Sequence, residues 1–264
     1  MPKMPKHFVQ STFLRNVREL SLQGLSCSVC DLTEVFSLPC LKTLQVGPLI
    51  HSKRDDGLTQ LAFRPGSNDI STLVLTDTQV SSQTLMLVLQ SCTALENFTY
   101  SEHSQYHSSN ERMDMNGRVD QDFDSLIRIL SPFHNILRKL TLRKQDPFPR
   151  ESFRLCSLTQ FTILERFSIG TFTMIDGERL ILEVLPESLV ELELDDFYSR
   201  LTESHGGNIP SVIEIFTEAK LRRLPNLSRV VILIDEDDCD RAGLELGKYS
   251  EDGVELCIDR SFNL

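Results

Sequence analysis

Residues 137–142 read LRKLTL, residues 164–169 read LERFSI and residues 189–194 read LVELEL. Each hexad is apolar at its first, fourth and sixth positions and mostly polar between them. Five more segments fit: VRELSL at 17–22, LKTLQV at 41–46, ISTLVL at 70–75, LENFTY at 95–100 and LSRVVI at 227–232. One match carries no weight. At 40% apolar residues, three specified positions agree by chance with a probability of ~0.06, or roughly 17 times along such a chain. The spacing carries the information: successive starts lie 24, 29, 25, 42, 27, 25 and 38 residues apart. Each of the two long intervals contains a polar stretch that accounts for the excess.

Between the hexads lie segments with helical spacing and stop signals. Asp31 to Leu38 ends at Pro39, and Ser82 to Ser91 carries Leu85 and Leu89 one turn apart. Phe123, Leu126, Ile127 and Leu130 share one face and stop before Pro132, Glu178 to Leu185 ends at Pro186, and Pro210 to Leu224 ends at Pro225. Strands alternating with helices at this period predict parallel strands joined by right-handed crossovers. The period and pattern resemble those of leucine-rich repeats. The expected fold is therefore an α/β leucine-rich repeat solenoid, a curved right-handed horseshoe with a parallel sheet on its concave face and helices and turns on its convex face. Residues 1–264 are expected to form a single domain of about eight irregular coils. Polar insertions near 51–69, 101–122 and 198–209 interrupt it, and a cap near 240–264, with a strand at Val254 to Ile258, closes it. Too little sequence precedes Val17 for a polar cap there, so the first coil is expected to be poorly covered.

The Asn or Cys that ties down the turn three residues after the hexad in extracellular repeats is missing. Those positions hold Leu25, Leu49, Thr78, His103, Gln145, Phe172, Phe197 and Asp235, which favours irregular intracellular repeats. The opening FLRNVRELSLQGL at 13–25, the turns Leu38-Pro39-Cys40-Leu41 and Leu224-Pro225-Asn226-Leu227, and LPESLVELELDDF at 185–197 resemble the repeat half of fungal F-box proteins. The resemblance implies the substrate-recognition part, or a remnant of it, of a ubiquitin ligase receptor, in which an F-box ahead of the repeats binds a Skp-type adaptor. No Leu-Pro-x-Glu start precedes Val17, so adaptor binding is carried to no residue here and is expected only if an F-box exists outside these residues. The alternative is a repeat scaffold or regulator unrelated to ubiquitin transfer.

No catalytic, cofactor or metal motif stands out. Cys27-Ser28-Val29-Cys30 is a lone CxxC without a second pair at finger spacing. The acidic run from Asp235 to Asp240 lacks the glycine and distal glutamate of a calcium loop. The chain is therefore expected to be no enzyme and to hold no cofactor and no metal. A net charge of -11 argues against nucleic acid, which demands a basic face. Seven cysteines without framework spacing read as reduced thiols of a cytoplasmic or nuclear protein, and no apolar run of membrane-spanning length occurs. The chain is expected to be a monomer.

Solenoids bind partners on the concave sheet, a broad preformed surface. The side chains between the apolar positions are mostly small or uncharged in the first four coils, as at Ser21, Gln23, Thr43, Gln45, Thr72, Thr76, Asn97 and Thr99. The next three present Lys139, Thr141, Arg143, Arg166 and Ser168, then Glu191, Glu193 and Asp195. A basic band beside an acidic band predicts a binding face for a protein segment of mixed charge. The competing expectation is that neighbouring strands neutralise one another across the sheet. Val231 and Leu233, further along, are expected to be covered by the C-terminal cap.

Overall fold

The structure is a computed structural model that describes residues 12–50, 63–78, 80–102, 123–144, 157–170, 182–195, 209–234 and 247–260. Most of the three polar insertions and the acidic run at 235–240 lie outside these residues. The chain divides into two compact units, Met1–Ile136 with Lys144–Phe148, and Leu137–Arg143 with Pro149–Leu264.

In the first unit, strands β1 (Glu19–Ser28), β2 (Thr43–Ile50), β3 (Thr72–Thr78) and β4 (Asn97–Glu102) pair in chain order, all parallel. Helices α1 (Val29–Val35), α2 (Ser82–Ser91) and α3 (Phe123–Leu130) lie between or after them. Short 3-10 turns span Thr12–Asn16 and Ser131–Phe133. In the second unit, β5 (Lys139–Lys144), β6 (Arg166–Gly170), β7 (Glu191–Asp195) and β8 (Arg229–Ile234) also pair parallel in chain order, with α4 (Ile209–Arg222) before β8. Beyond β8 the order is β10 (Val254–Arg260), parallel to it, then β9 (Gly247–Glu251), antiparallel. Both units are α/β with mostly parallel sheets of sequential strands, an arrangement compatible with a repeat solenoid.

The hexads stack in register. Leu20, Leu44, Leu73 and Phe98 are Cα partners in the first unit, and Leu140, Phe167, Leu192, Val230 and Leu256 in the second. Every apolar hexad position from Leu41 to Ile232 is buried. In the first hexad Val17 and Leu20 are half-buried and Leu22 is buried. A backbone motif repeats with the side chains. The carbonyl of the second hexad residue accepts two N–H groups from the next coil: Arg18 O from Lys42 and Thr43, Lys42 O from Ser71 and Thr72, Ser71 O from Glu96 and Asn97. Arg138 O, Glu165 O and Val190 O do the same in the second unit.

Local chemistry starts and stops the helices. Ser28 caps α1 in a capping box: its hydroxyl accepts from Asp31 N at 3.3 Å while its own N–H donates to Asp31 Oδ2 at 2.9 Å. Ser81 caps α2 by accepting from Thr84 N at 3.2 Å. Leu85, Val88 and Leu89 turn inward from α2, and Leu126, Ile127 and Leu130 from α3. In α4, Ile213, Phe216 and Ala219 are buried, and the helix ends before Pro225.

Two expectations gain detail. The stretch 51–69 is not wholly a polar excursion, because Phe63 is buried and packs edge-on against Phe36 with ring centroids 5.4 Å apart. Asn68 is buried too. Its Nδ2 donates to Ser91 Oγ at 3.0 Å and its Oδ1 accepts from Ile70 N at 3.2 Å, so burial leaves neither end unsatisfied. At the other end of the chain, the strand expected at Val254 to Ile258 runs from Val254 to Arg260 and continues the parallel register, and it is β9 that occupies the outer position. Asp252 and Gly253, both at positive φ (46° and 76°), form the two-residue turn between them. Lys220 Nζ of α4 donates to Gly253 O at 2.7 Å and fastens that turn to the helix.

Candidate functional site

The five parallel strands of the second unit set their polar side chains in three rows. The first holds Lys139, Arg166, Glu191, Arg229 and Glu255, successive Cα partners from β5 to β10. The second holds Thr141, Ser168, Glu193, Val231 and Cys257. Gly170, Asp195, Leu233 and Asp259 align in the third, and Arg143 lies one residue beyond the pair Leu142 and Ile169 on β5 and β6. All eight sequence-predicted residues, Lys139, Thr141, Arg143, Arg166, Ser168, Glu191, Glu193 and Asp195, thus lie on this one set of strands.

Their exposure differs from the expectation. Thr141 and Ser168 are each only 6% exposed, so they form the floor of the face, beneath the longer side chains beside them. Lys139 and Arg166 are exposed, and Arg143, Glu191, Glu193 and Asp195 are half-buried. A short central residue on a strand sits below the long side chains of the rows beside it, which explains why the hydroxyls sink while the cations stand clear.

Opposite charges on this face partly neutralise one another. Arg143 Nη2 donates to Glu193 Oε1 at 3.0 Å, crossing β6, and Ser168 Oγ donates to the same oxygen at 2.7 Å. The crossing is possible because β6 offers only Ser168 and Gly170 at that level. Arg229 Nη1 lies 3.7 Å from Glu191 Oε2. Lys248 Nζ of β9 donates to Glu255 Oε1 at 2.9 Å, and Cys257 Sγ lies 3.5 Å from that oxygen. The Lys248 hydrogen bond, followed by that of Cys257, holds the Glu255 carboxyl below the usual carboxylate range. Hydrogen bonding with Cys257 is the first reason that Arg229 is held still more firmly protonated. Among the described residues, no ion pair engages Lys139 or Arg166.

Val231 is buried, flanked by Glu193 and Cys257, while Leu233, flanked by Asp195 and Asp259, is half-buried. The strand beside them is therefore β10 itself. The CxxC pair divides between β1 and α1: Cys27 is buried, which together with nearby Asp31 pushes its thiol up to about 11, and Cys30 is half-buried in the first turn of the helix. A thiol so held is protonated at neutral pH and is a poor nucleophile or metal ligand. Among the described residues no cluster of His, Cys, Asp and Glu is placed to hold a metal, and no helix is long and apolar enough to cross a membrane. The Arg143 crossing, the sunken Thr141 and Ser168, and the Lys248–Glu255 pair were not read from the sequence. Only the third had a local signal, the Asp252-Gly253 turn that brings β9 beside β10. No protein-family model and no curated protein sequence matches this chain.

Proposed function

We propose that this chain is a non-catalytic protein-interaction module of leucine-rich repeat type, with the charged face of the second unit's sheet as its recognition surface. In the finer form of this reading, which rests on the resemblance to fungal F-box proteins, it is the substrate-recognition part of a ubiquitin ligase receptor. Recruitment of a Skp-type adaptor would then fall to an F-box outside these residues. The observation that carries the reading is the register-locked array of charge. Side chains on adjacent parallel strands stand about 4.8 Å apart, and hydrogen bonds and an ion pair to neighbours hold several of them in place. Such a surface loses little conformational freedom when a partner docks, which favours specific binding.

The test is affinity capture of the tagged chain from extract of its native cells, with captured proteins identified by mass spectrometry. A variant carrying Lys139→Glu, Arg143→Glu and Arg166→Glu is compared with one carrying Lys42→Glu, Arg64→Glu and Arg222→Glu, which makes the same change in net charge elsewhere. The expected result is a partner retained by wild type and the second variant and lost by the first. Cullin-ligase components in the same eluate support the receptor form. Absence of any partner that distinguishes the two variants overturns the recognition surface.

A further inference from the structure

We propose that Lys139, Arg166 and Thr141 form a subsite for a side-chain carboxylate of an acidic partner segment. The inference rests on the reading of this face as a recognition surface and adds the chemistry of what it recognises.

The argument begins with the charges left over. Along the first row, Glu191 is engaged by Arg229 and Glu255 by Lys248, and beside that row Glu193 is engaged by Arg143. Lys139 and Arg166 are direct Cα partners on adjacent strands, both exposed, and among the described residues neither has an anionic partner. Like charges placed opposite one another on a sheet repel. Glu191 is the next Cα partner of Arg166, yet its carboxylate is turned to Arg229. The repulsion between the two cations is therefore unrelieved within the described part of the protein, and an incoming anion relieves it.

The floor beneath them narrows the choice of anion. Thr141 follows Lys139 by two residues on the same side of β5 and pairs with Ser168. Ser168 gives its hydroxyl to Glu193, whereas no side-chain hydrogen bond engages Thr141 Oγ1 among the described residues. An ammonium, a guanidinium and a free hydroxyl thus lie at neighbouring register positions. A planar carboxylate accepts in-plane hydrogen bonds from a guanidinium and has lone pairs left for the other two donors. The negative net charge of the whole chain, -11, opposes indiscriminate capture of polyanions. It leaves this pair as a local exception that selects a short acidic segment rather than a long one.

The experiment is fluorescence anisotropy with the full chain and a dye-labelled oligoglutamate peptide at low ionic strength. Wild type is expected to bind saturably, and the double variant Lys139→Gln, Arg166→Gln to bind at least ~10-fold more weakly. Thr141→Val is expected to weaken binding about 3-fold. Lys42→Gln removes one charge away from the site and is expected to change affinity less than ~2-fold. Equal melting temperatures across the set show that the variants fold. Equal weakening by Lys42→Gln, or binding that survives the double variant, overturns the subsite. So does displacement of the peptide by inorganic phosphate at matched ionic strength, because the subsite then prefers a tetrahedral anion. Loss of the captured partner in the triple Glu variant without oligoglutamate binding leaves the recognition surface standing and removes only the carboxylate subsite.

Discussion

Cys92 sits at the end of α2 with its thiol buried and directed to Val88 O at 3.6 Å. Burial is the dominant cause that pushes this thiol up to about 12. The neutral form fits the folded state, while the unfolded chain ionises near the ordinary value of 9.0. The thiol's contribution to stability is therefore intact below about pH 9 and is lost as pH rises from there towards about 12. Urea titrations at pH 8 and pH 11 should show wild type losing on the order of 2 kcal/mol more than Cys92→Ala over that span. Parallel loss in the two proteins would sink the assignment. Asn68 shows why some residues escape a reading of the sequence. An asparagine followed by an aspartate in a polar stretch looks solvent-exposed, and only Ser91, 23 residues away, supplies the partner that makes its burial tolerable.

At the scale of elements, the strands were legible because period-two burial and the repeat interval constrain the same residues. The limits of α2 and α3 follow from Ser81 and Pro132, so they fall at Ser82–Ser91 and Phe123–Leu130 as the pattern predicts. What escaped was set by approach between strands. Gly47 of β2 lies so near β3 that an added methyl would fall on Thr76 Oγ1 and within 3.0 Å of Thr76 O. Nothing in the local sequence QVGP signals a neighbour 29 residues onward. Gly47→Ala should lower stability by about 1–3 kcal/mol, read from the urea midpoint. Thr76→Ala should recover only part of that, because the backbone oxygen remains. A neutral Gly47→Ala would show that the two strands separate without cost. The candidate face escaped in the same way: which row each residue occupies was legible, but the route of Arg143 across β6 to Glu193 depends on small residues in the strand between them.

At the scale of the whole molecule, a sheet of sequential parallel strands places the burden of solubility on its ends, where a strand's pairing edge has no next neighbour. In the second unit, β10 covers the edge of β8, and β9 presents Lys248, Ser250 and Glu251 outward. The hairpin also packs on α4. Truncation after residue 246 should therefore uncover the β8 edge and part of the apolar face of α4. Size-exclusion chromatography is expected to show soluble aggregates that bind a hydrophobic dye. A monodisperse truncated protein with the wild-type melting temperature would show that the hairpin is dispensable.

The doubly accepting carbonyl at the second position of six of the hexads has an evolutionary corollary. That join is made mainly by main-chain N–H and C=O groups, with the Ser71 and Ser228 hydroxyls adding to two of the carbonyls, so it depends little on the side chains at positions two, three and five. Selection on the fold acts on three letters in six and tolerates insertions between hexads. A lineage built this way can exchange nearly all of its surface, and with it its partners, while inheriting the same scaffold.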